Sequence, residues 1–413
     1  MNLEWFIAKR LILGRAYKNS ISAPIIKIAI AAIALGMVMM LIAIASGVGM
    51  KLKIREKVAA FNGHIQISNY DNNLSQVSVE PVSIDQDFYP EFSSVSGISH
   101  VQAVIMKGGI IRNEETFEGI LAKGVGTDFR WDAFREYLVA GDIPDYTGKL
   151  GEEVLISKRK ANRLQLQVSD SFRAFFLKDN DASKVPNNRV FKVSGIYDSG
   201  FEEFDENIVF VDRRHLQRMN KWEADQIGHF EVFLKDFDAL EIKTGEVYQN
   251  TSSYLDTRNI QDKYNTIFEW IGLFDFNIAI IIGIMVLVGG INMITALLVL
   301  ILERTTMIGL LKALGGTNWS IRKVFLYNAA YLIFLGLLWG NILGLGIIYA
   351  QSEYRFIRFP NPEQYYIEYV PVHLPLGSWA ALNIGVLLLC LAMLLLPSLI
   401  ISKIAPVKAI RFA

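Results

Sequence analysis

Four long apolar runs are the feature that most restricts the fold of this chain. None of them contains a Lys, Arg, Asp or Glu, and each exceeds the roughly 20 helical residues needed to cross a bilayer core of about 30 Å. They cover residues 28–50, 276–302, 324–352 and 369–402. Buried helices of soluble proteins rarely stay free of charge over such lengths, so the sequence predicts four transmembrane helices.

The basic residues of the short polar segments predict the orientation of these helices. Lys and Arg outnumber acids in residues 1–27, in the loop 303–323 and in the tail 403–413. Because Lys and Arg concentrate in cytoplasmic segments, both termini and this loop are predicted to be cytoplasmic, in the inner membrane. The first run also has the small residues of a signal-peptide cleavage site, but its length and long polar lead favour an uncleaved anchor.

The long segment between the first and second runs predicts a large folded domain on the periplasmic side. Its pattern alternates short strands with short helices, which indicates an α+β domain. Strands are predicted at residues 63–68, 76–79, 101–106, 110–112, 117–125, 171–177, 189–197, 208–211 and 230–234. Helices are predicted at residues 128–138, 157–164, 213–220 and 236–250, with helical stalks at 50–61 and 251–270.

The resulting fold class is a four-helix membrane protein with an α+β periplasmic domain inserted between helices 1 and 2. The predicted segments are an interfacial N-terminal helix at 1–23, spans at 24–50, 269–302, 324–351 and 376–402, the domain at 51–268, a cytoplasmic loop at 303–323, a periplasmic loop at 352–375, and a tail at 403–413.

A short amphipathic segment lies between the second and third spans. Ile308, Leu311 and Leu314 recur at helical spacing, and Gly315 with Gly316 is a typical helix end. The spacing alone indicates an interfacial helix, and a plain connecting helix is the simpler alternative.

The residues of this segment carry a resemblance as well. Glu303-Arg-x-x-x-Ile-Gly-x-x-Lys-Ala-Leu-Gly315 resembles the coupling segment of FtsX-like ABC permeases. The resemblance implies that this helix binds a separate ATPase. The implied coupling residues are Glu303, Arg304, Ile308, Gly309, Leu311, Lys312, Ala313, Leu314 and Gly315.

Two segments of the predicted periplasmic domain resemble a more specific branch of these permeases. Residues 154–170 resemble a strand–helix unit of periplasmic permease domains, with Ser169 in place of the usual Gly. Residues 193–205, Val-Ser-Gly-Ile-Tyr-Asp-Ser-Gly-Phe-Glu-Glu-Phe-Asp, resemble a signature of the lipoprotein-releasing permeases of Gram-negative bacteria. A strand followed by a glycine turn needs similar residues and is the structural alternative.

This resemblance implies a function and its partners. The implied protein is a non-catalytic permease subunit, working with an ATPase subunit, a second permease subunit that is identical or related, a lipoprotein substrate, a periplasmic carrier and membrane lipids. Acyl chains are expected on the outer halves of the first two spans. The candidates are Met37, Met40, Ile44, Phe276 and Ile280, since Met packs adaptably and the other side chains are apolar.

Three glycines in the third span predict close helix packing. Gly336, Gly340 and Gly344 are four residues apart, so they share one helix face on which another backbone can approach. The partner helix is either another span of the same chain or a second subunit.

The motifs of catalytic and metal sites do not occur in this sequence. It has no Gly-x-x-x-x-Gly-Lys-Ser/Thr, His-Glu-x-x-His or Gly-x-Ser-x-Gly, and its five histidines lack ligand spacing. No catalytic residue, cofactor or metal is therefore expected, and equal numbers of basic and acidic residues give no indication of a nucleic-acid partner. Two alternatives use the same architecture: an efflux permease for peptides or drugs, and a transmembrane signal transmitter that controls cell-wall hydrolases.

Overall fold

The computed structural model describes residues 3–13, 22–72, 75–112, 116–178, 185–360 and 367–403. The chain divides into two compact units. The helical unit consists of Met1–Leu52, Trp270–Arg358 and Tyr369–Ala413, and the α/β unit of Lys53–Glu269 and Phe359–Glu368.

The described residues form thirteen α-helices, some of them a single turn. In chain order these are α1 Leu3–Leu13, α2 Ser22–Asn62, α3 Asp132–Tyr137, α4 Lys158–Leu164, α5 Glu202–Asn207, α6 Arg213–Asn220, α7 Leu240–Gln249, α8 Ile260–Lys263, α9 Asn265–Glu303, α10 Thr305–Ala313, α11 Asn318–Tyr354, α12 Leu376–Ser398 and α13 Ile400–Lys403.

Four stretches of helix are long and apolar enough to cross a membrane, by length and composition. They are Pro24–Asn62, Asn265–Glu303, Asn318–Tyr354 and Leu376–Ser402. The prediction of four membrane-spanning helices is therefore confirmed.

The first spanning helix continues well beyond its apolar run. α2 includes the charged residues predicted as a stalk and ends at Asn62. Gly63 follows with φ +67° and donates its N–H to the carbonyl of Ala59 at 2.7 Å. A glycine in the left-handed region is a common helix end because it carries no Cβ.

The loop after the third span is divided between the two units. Residues 359–368 belong to the α/β unit, whereas the flanking residues belong to the helical unit. Beside it, the Gln351 side chain donates to the carbonyls of Ile357 and Val370 and accepts the N–H of Ile357. One side chain at the end of α11 therefore fixes both arms of this loop.

Twelve strands are present among the described residues. They are β1 Ile65–Asn69, β2 Val82–Ser83, β3 Ile98–Arg112, β4 Phe117–Val125, β5 Leu138–Gly141, β6 Glu153–Ser157, β7 Ser171–Phe176, β8 Asn187–Tyr197, β9 Ile208–Asp212, β10 Gln226–Ile227, β11 His229–Leu234 and β12 Leu255–Asn259.

Ten of these strands form one mixed sheet. Its order is β12-β1-β11-β3-β4-β9-β6-β8-β5, and β7 pairs with both β3 and β8. The β4–β9 and β6–β8 pairs are parallel, and β2 with β10 forms a small second sheet. With helices between its strands, this unit is the predicted α+β domain.

Several local predictions for this unit were wrong. Residues 76–79 are not a strand. Residues 101–106 and 110–112 belong to the single strand β3, and the predicted polar helix at 251–270 contains β12. β12 pairs along β1, with Ile65 opposite Asn259. A polar segment can therefore be a strand when a distant partner supplies its hydrogen bonds.

The core of the α/β unit includes the last turn of α2. The Phe61 ring stacks on Phe204 with centroids 4.6 Å apart and meets Phe134 edge-on at 4.9 Å. Phe134 in turn contacts Phe210 at 4.8 Å. The end of α2 is therefore a structural part of this domain.

A buried ion pair supports the same helix end. Lys123 and Glu231 are each 1% exposed, and Nζ lies 2.6 Å from Oε1. Gln102 donates to the other carboxylate oxygen of Glu231 at 2.8 Å, and the Lys123 ammonium also donates to the carbonyl of Phe61. Burial alone would raise the pKa of Glu231, but Lys123 and His229 outweigh burial and lower it.

A second buried carboxylate organises the glycine turn that precedes α5. Asp205 accepts the hydroxyl of Ser199 at 2.7 Å and the N–H of Gly200 at 3.1 Å. Lys57 of α2 donates to the carbonyl of Ser199. Burial is the largest influence on Asp205 and raises its pKa to about 6.

Candidate functional site

α10 is a short helix with one inward and one exposed face. Ile308 and Gly309 are buried, and Leu311 packs partly buried against the core of the helical unit. Leu310 is 55% exposed and Leu314 is 78% exposed. The N–H of Leu314 donates to the carbonyl of Leu310 at 3.0 Å, so these two residues lie close together.

The predicted coupling residues lie on both faces of α10. Ala313, Leu314 and Gly315 are exposed, whereas Ile308, Gly309 and Leu311 face the core. The expectation that Ile308, Leu311 and Leu314 form one apolar face was wrong, because the helix ends at Ala313 and Leu314 lies beyond its regular part. Leu310 was missed, although its position one turn before Leu314 was a usable signal.

The end of α10 is closed by its glycines. Gly315 has φ +88°, and the N–H of Gly316 donates to the carbonyl of Leu311 at 2.9 Å. The chain then turns into α11, whose first turn is capped because the Thr317 hydroxyl accepts the N–H of Ser320 at 3.2 Å. Both ends of the α10–α11 turn are thus fixed by local sequence.

Lys312 binds within its own chain. Its ammonium donates to the carbonyl of Ile401 at 2.7 Å, and Arg322 donates to the hydroxyl of Ser402 at 3.0 Å. Partial burial, followed by the charge of Arg322, lowers the pKa of Lys312. A cation favours the carbonyl end of a helix, so these contacts tie α10 and α11 to α13.

Glu303 and Arg304 mark the turn between α9 and α10. Glu303 is the last residue of α9 and is exposed, and the half-buried Arg304 accepts the N–H of Ile308 on its backbone carbonyl at 3.0 Å. The two residues lie at the start of α10, and Leu314 lies at its other end.

α1 packs beside this region. Glu4 lies 3.8 Å from the ammonium of Lys323 and accepts the hydroxyl of Ser320 at 3.1 Å. Trp5 meets Tyr327 edge-on with centroids 5.8 Å apart. The N-terminal helix therefore supports the first turns of α11.

The three glycines of α11 face α2 of the same chain. A Cβ at Gly336 would lie 2.7 Å from the Ile33 side chain, and one at Gly340 would lie 2.6 Å from Met37. At Gly344 the nearest atom would be a Leu41 methyl at 2.7 Å. The sequence left open whether these glycines pack against the same chain or a second subunit. In the structure they pack against α2 of the same chain.

The candidate acyl-chain residues do not form one surface. Met37, Met40 and Ile44 are buried in the core of the helical unit. Phe276 is 65% exposed and Ile280 is 42% exposed. Met37 is buried because the glycines of α11 bring that helix against α2, so the expectation of an exposed surface on this face of α2 was wrong.

No group of three or more His, Cys, Asp or Glu within the described parts of the chain could hold a metal ion. Lys123, Glu231 and the largely buried His229 form a cluster of ionisable groups inside the α/β unit.

Part of the helical unit is similar to a known family. Residues 279–406, which include α10, match the family described as FtsX-like permease C-terminal. The chain is 20% identical over 378 residues to the lipoprotein-releasing system transmembrane protein LolC of Xylella fastidiosa, covering 87% of both chains. It is 23% identical over 267 residues to LolC of Haemophilus influenzae, covering 63% of this chain and 64% of that relative.

The chain is an ABC transporter permease. The LolC match spans both units, and the FtsX-like match covers most of α9 and all of α10, α11, α12 and α13. The permease is a multi-pass protein of the inner membrane whose α/β unit is a periplasmic domain.

Among solved structures, the permease is similar to the periplasmic region of MacB from Actinobacillus actinomycetemcomitans. That similarity has 14% identity and a TM-score of 0.35, and it covers 50% of the permease and 92% of the MacB chain. The ABC transporter permeases among its relatives imply an ATPase partner.

Proposed function

We propose that this permease releases lipoproteins from the inner membrane towards a periplasmic carrier, using ATP hydrolysis by a separate LolD-like subunit. The observation that carries this proposal is the match to LolC over 87% of both chains, which includes the α/β unit as well as the helices. A second permease chain, identical or related, completes the transporter, and both termini are cytoplasmic.

The energetic reason for an ATP-driven step is the cost of removing acyl chains from the bilayer. Each buried methylene contributes about 0.8 kcal/mol of membrane affinity. A lipoprotein with several acyl chains therefore leaves the membrane too slowly on its own. The permease itself contains no nucleotide-hydrolysing motif in its sequence, so we assign catalysis to the partner.

The exposed face of α10 is the proposed contact with the ATPase. Leu310 and Leu314 present exposed apolar side chains on a short helix between two spans, and exposed apolar surface of this kind is typical of a protein interface. Because Ile308 and Leu311 pack inward and Lys312 binds α13, a displacement of α10 acts directly on the packed helices.

The proposed acyl-chain surface is on α9. Phe276, Ile280 and Ile284 are exposed at a spacing of four residues, which places them along one helix face. This face replaces the buried α2 residues as the candidate contact of the lipid anchor.

Depletion of the permease in cells, followed by membrane fractionation, tests the function. We expect lipoproteins to accumulate in the inner membrane. Normal lipoprotein distribution with drug sensitivity would instead indicate efflux, and normal distribution with chained cells would indicate control of cell-wall hydrolases. Either result would contradict lipoprotein release.

Replacement of Leu314 by Asp tests the ATPase contact separately. The variant should lose most ATPase co-purification while its melting temperature stays unchanged, because this side chain makes little contact within the permease. Leu311→Asp should lower the melting temperature, since Leu311 packs on the core. Leu177→Asp, exposed in the α/β unit, is the matched control and should bind normally.

A further inference from the structure

A groove on the surface of the helical unit runs along the joint between α2 and α11. Its volume is about 690 Å³. Ile30, Ala31 and Ala34 of α2 line one part, and Trp339 and Leu343 of α11 line another. The glycines of α11 hold the two helices close together, and small alanines on α2 leave the space beside the joint open.

One end of this groove carries a positive charge. Of the described residues that line it, Lys27 alone has an ionisable side chain, and the others are Ile30, Ala31, Ala34, Leu35, Val38, Trp339, Leu343 and Ile347. Lys27 is exposed. From Lys27 to Val38 the α2 axis rises about 16 Å at 1.5 Å per residue, so the groove is long and apolar with a cation at its start.

We propose that this groove binds an anionic glycerophospholipid of the surrounding bilayer. One acyl chain lies along the alanines of α2 and the side chains of Trp339 and Leu343, and the phosphate pairs with the ammonium of Lys27. Basic positions between transmembrane helices are suited to lipid headgroups.

A transmembrane helix of a second subunit is the competing occupant. An apolar helix laid in this groove would cover the Lys27 end without offering a negative charge, and burying an unpaired ammonium is costly. A phospholipid supplies both the apolar chain and the compensating phosphate. The charge at the end of the groove therefore favours the lipid.

Lipid titration of the full-length permease in detergent, read by native mass spectrometry, tests the proposal. The probe is phosphatidylglycerol, and phosphatidylcholine with the same acyl chains is the comparison. We expect phosphatidylglycerol to bind more tightly. Lys27→Gln should weaken phosphatidylglycerol binding about fivefold, which corresponds to roughly 1 kcal/mol for one basic residue near a headgroup. It should weaken phosphatidylcholine binding less, because the choline cation already compensates the phosphate of that lipid.

Two further variants localise the site. Ala31→Trp fills the groove from an exposed position and should weaken binding of both lipids. Lys9→Gln removes an exposed lysine of α1 that does not line the groove, and it should bind phosphatidylglycerol like the unchanged protein.

Three results would overturn the proposal. They are equal loss of phosphatidylglycerol in the Lys27 and Lys9 variants, unchanged binding after Ala31→Trp, and an Ala31→Trp variant that loses a permease dimer without losing lipid. The last result would assign the groove to a second copy of the chain.

Discussion

The two units of the permease hold their buried polar groups in opposite ways. The α/β unit buries full charges, as in the pair of Lys123 and Glu231. The helical unit uses neutral groups: Asn341 donates to Asn383 and accepts the indole N–H of Trp379, both at 2.7 Å, between α11 and α12.

Two ion pairs of the helical unit remain partly exposed, unlike the buried pair of the α/β unit. In both the Lys51–Asp275 pair and the Lys323–Glu4 pair, at least one partner stays exposed to more than a third. A charge inside hydrocarbon is expensive, whereas a domain in water can bury a pair whose hydrogen bonds are complete. Changes of pH and substitutions of charged residues should therefore alter mainly the stability of the α/β unit.

The largest expected effect comes from breaking the buried pair. Lys123→Met leaves Glu231 buried without its cation and should destabilise the α/β unit by about 3–5 kcal/mol. Pulse proteolysis of the full-length protein in urea, with fragments assigned to residues 53–269, measures this. Lys158→Met removes an exposed partner of Asp198 and should cost about 0–1 kcal/mol. Equal losses in the two variants would contradict the role of the buried pair.

The next effect is the pH dependence due to Asp205. Because its folded pKa is raised from 3.8 to about 6, its protonated form stabilises the folded state below about pH 4. This contribution is lost as the pH rises through 6, and it amounts to about 3 kcal/mol in full. The stability difference between the unchanged protein and Asp205→Asn should shrink from pH 4 to pH 7 in urea titrations. A constant difference would show that Asp205 is not buried as described.

The smallest expected effect concerns the contact between α2 and α11 in the helical unit. Gly340→Leu inserts atoms where even a Cβ lies 2.6 Å from Met37, so overpacking should cost about 1–3 kcal/mol. Gly346→Leu is the matched control, because a Cβ there meets nothing within 4 Å. Thermal unfolding in detergent measures both variants. Identical melting temperatures would mean that α2 and α11 are not in close contact.

The sequence predicts the coarse architecture because its signals are local. Apolar length alone identifies four spans, and charge asymmetry predicts their orientation. The spacing of Gly336, Gly340 and Gly344 also predicts a close helix contact. The identity of the partner helix, α2, depends on tertiary structure. The contact between α2 and α11 is also the reason that Met37 is buried.

The candidate coupling site was less predictable for the same reason. Periodicity places Leu311 and Leu314 on one face only if the helix continues, but α10 ends at Ala313. Leu310 is exposed because the neighbouring Leu311 takes the inward position. In the α/β unit, the strand β12 is polar and depends on pairing with β1, so no local pattern indicates it.

The exposed leucines of α10 have a consequence for how the permease is made. On the proposed ATPase contact, a newly synthesised permease without its ATPase presents Leu310 and Leu314 to water, and such an exposed apolar patch promotes binding of chaperones or proteases and self-association. A cell therefore benefits from producing the two subunits in matched amounts, and surplus permease should be short-lived.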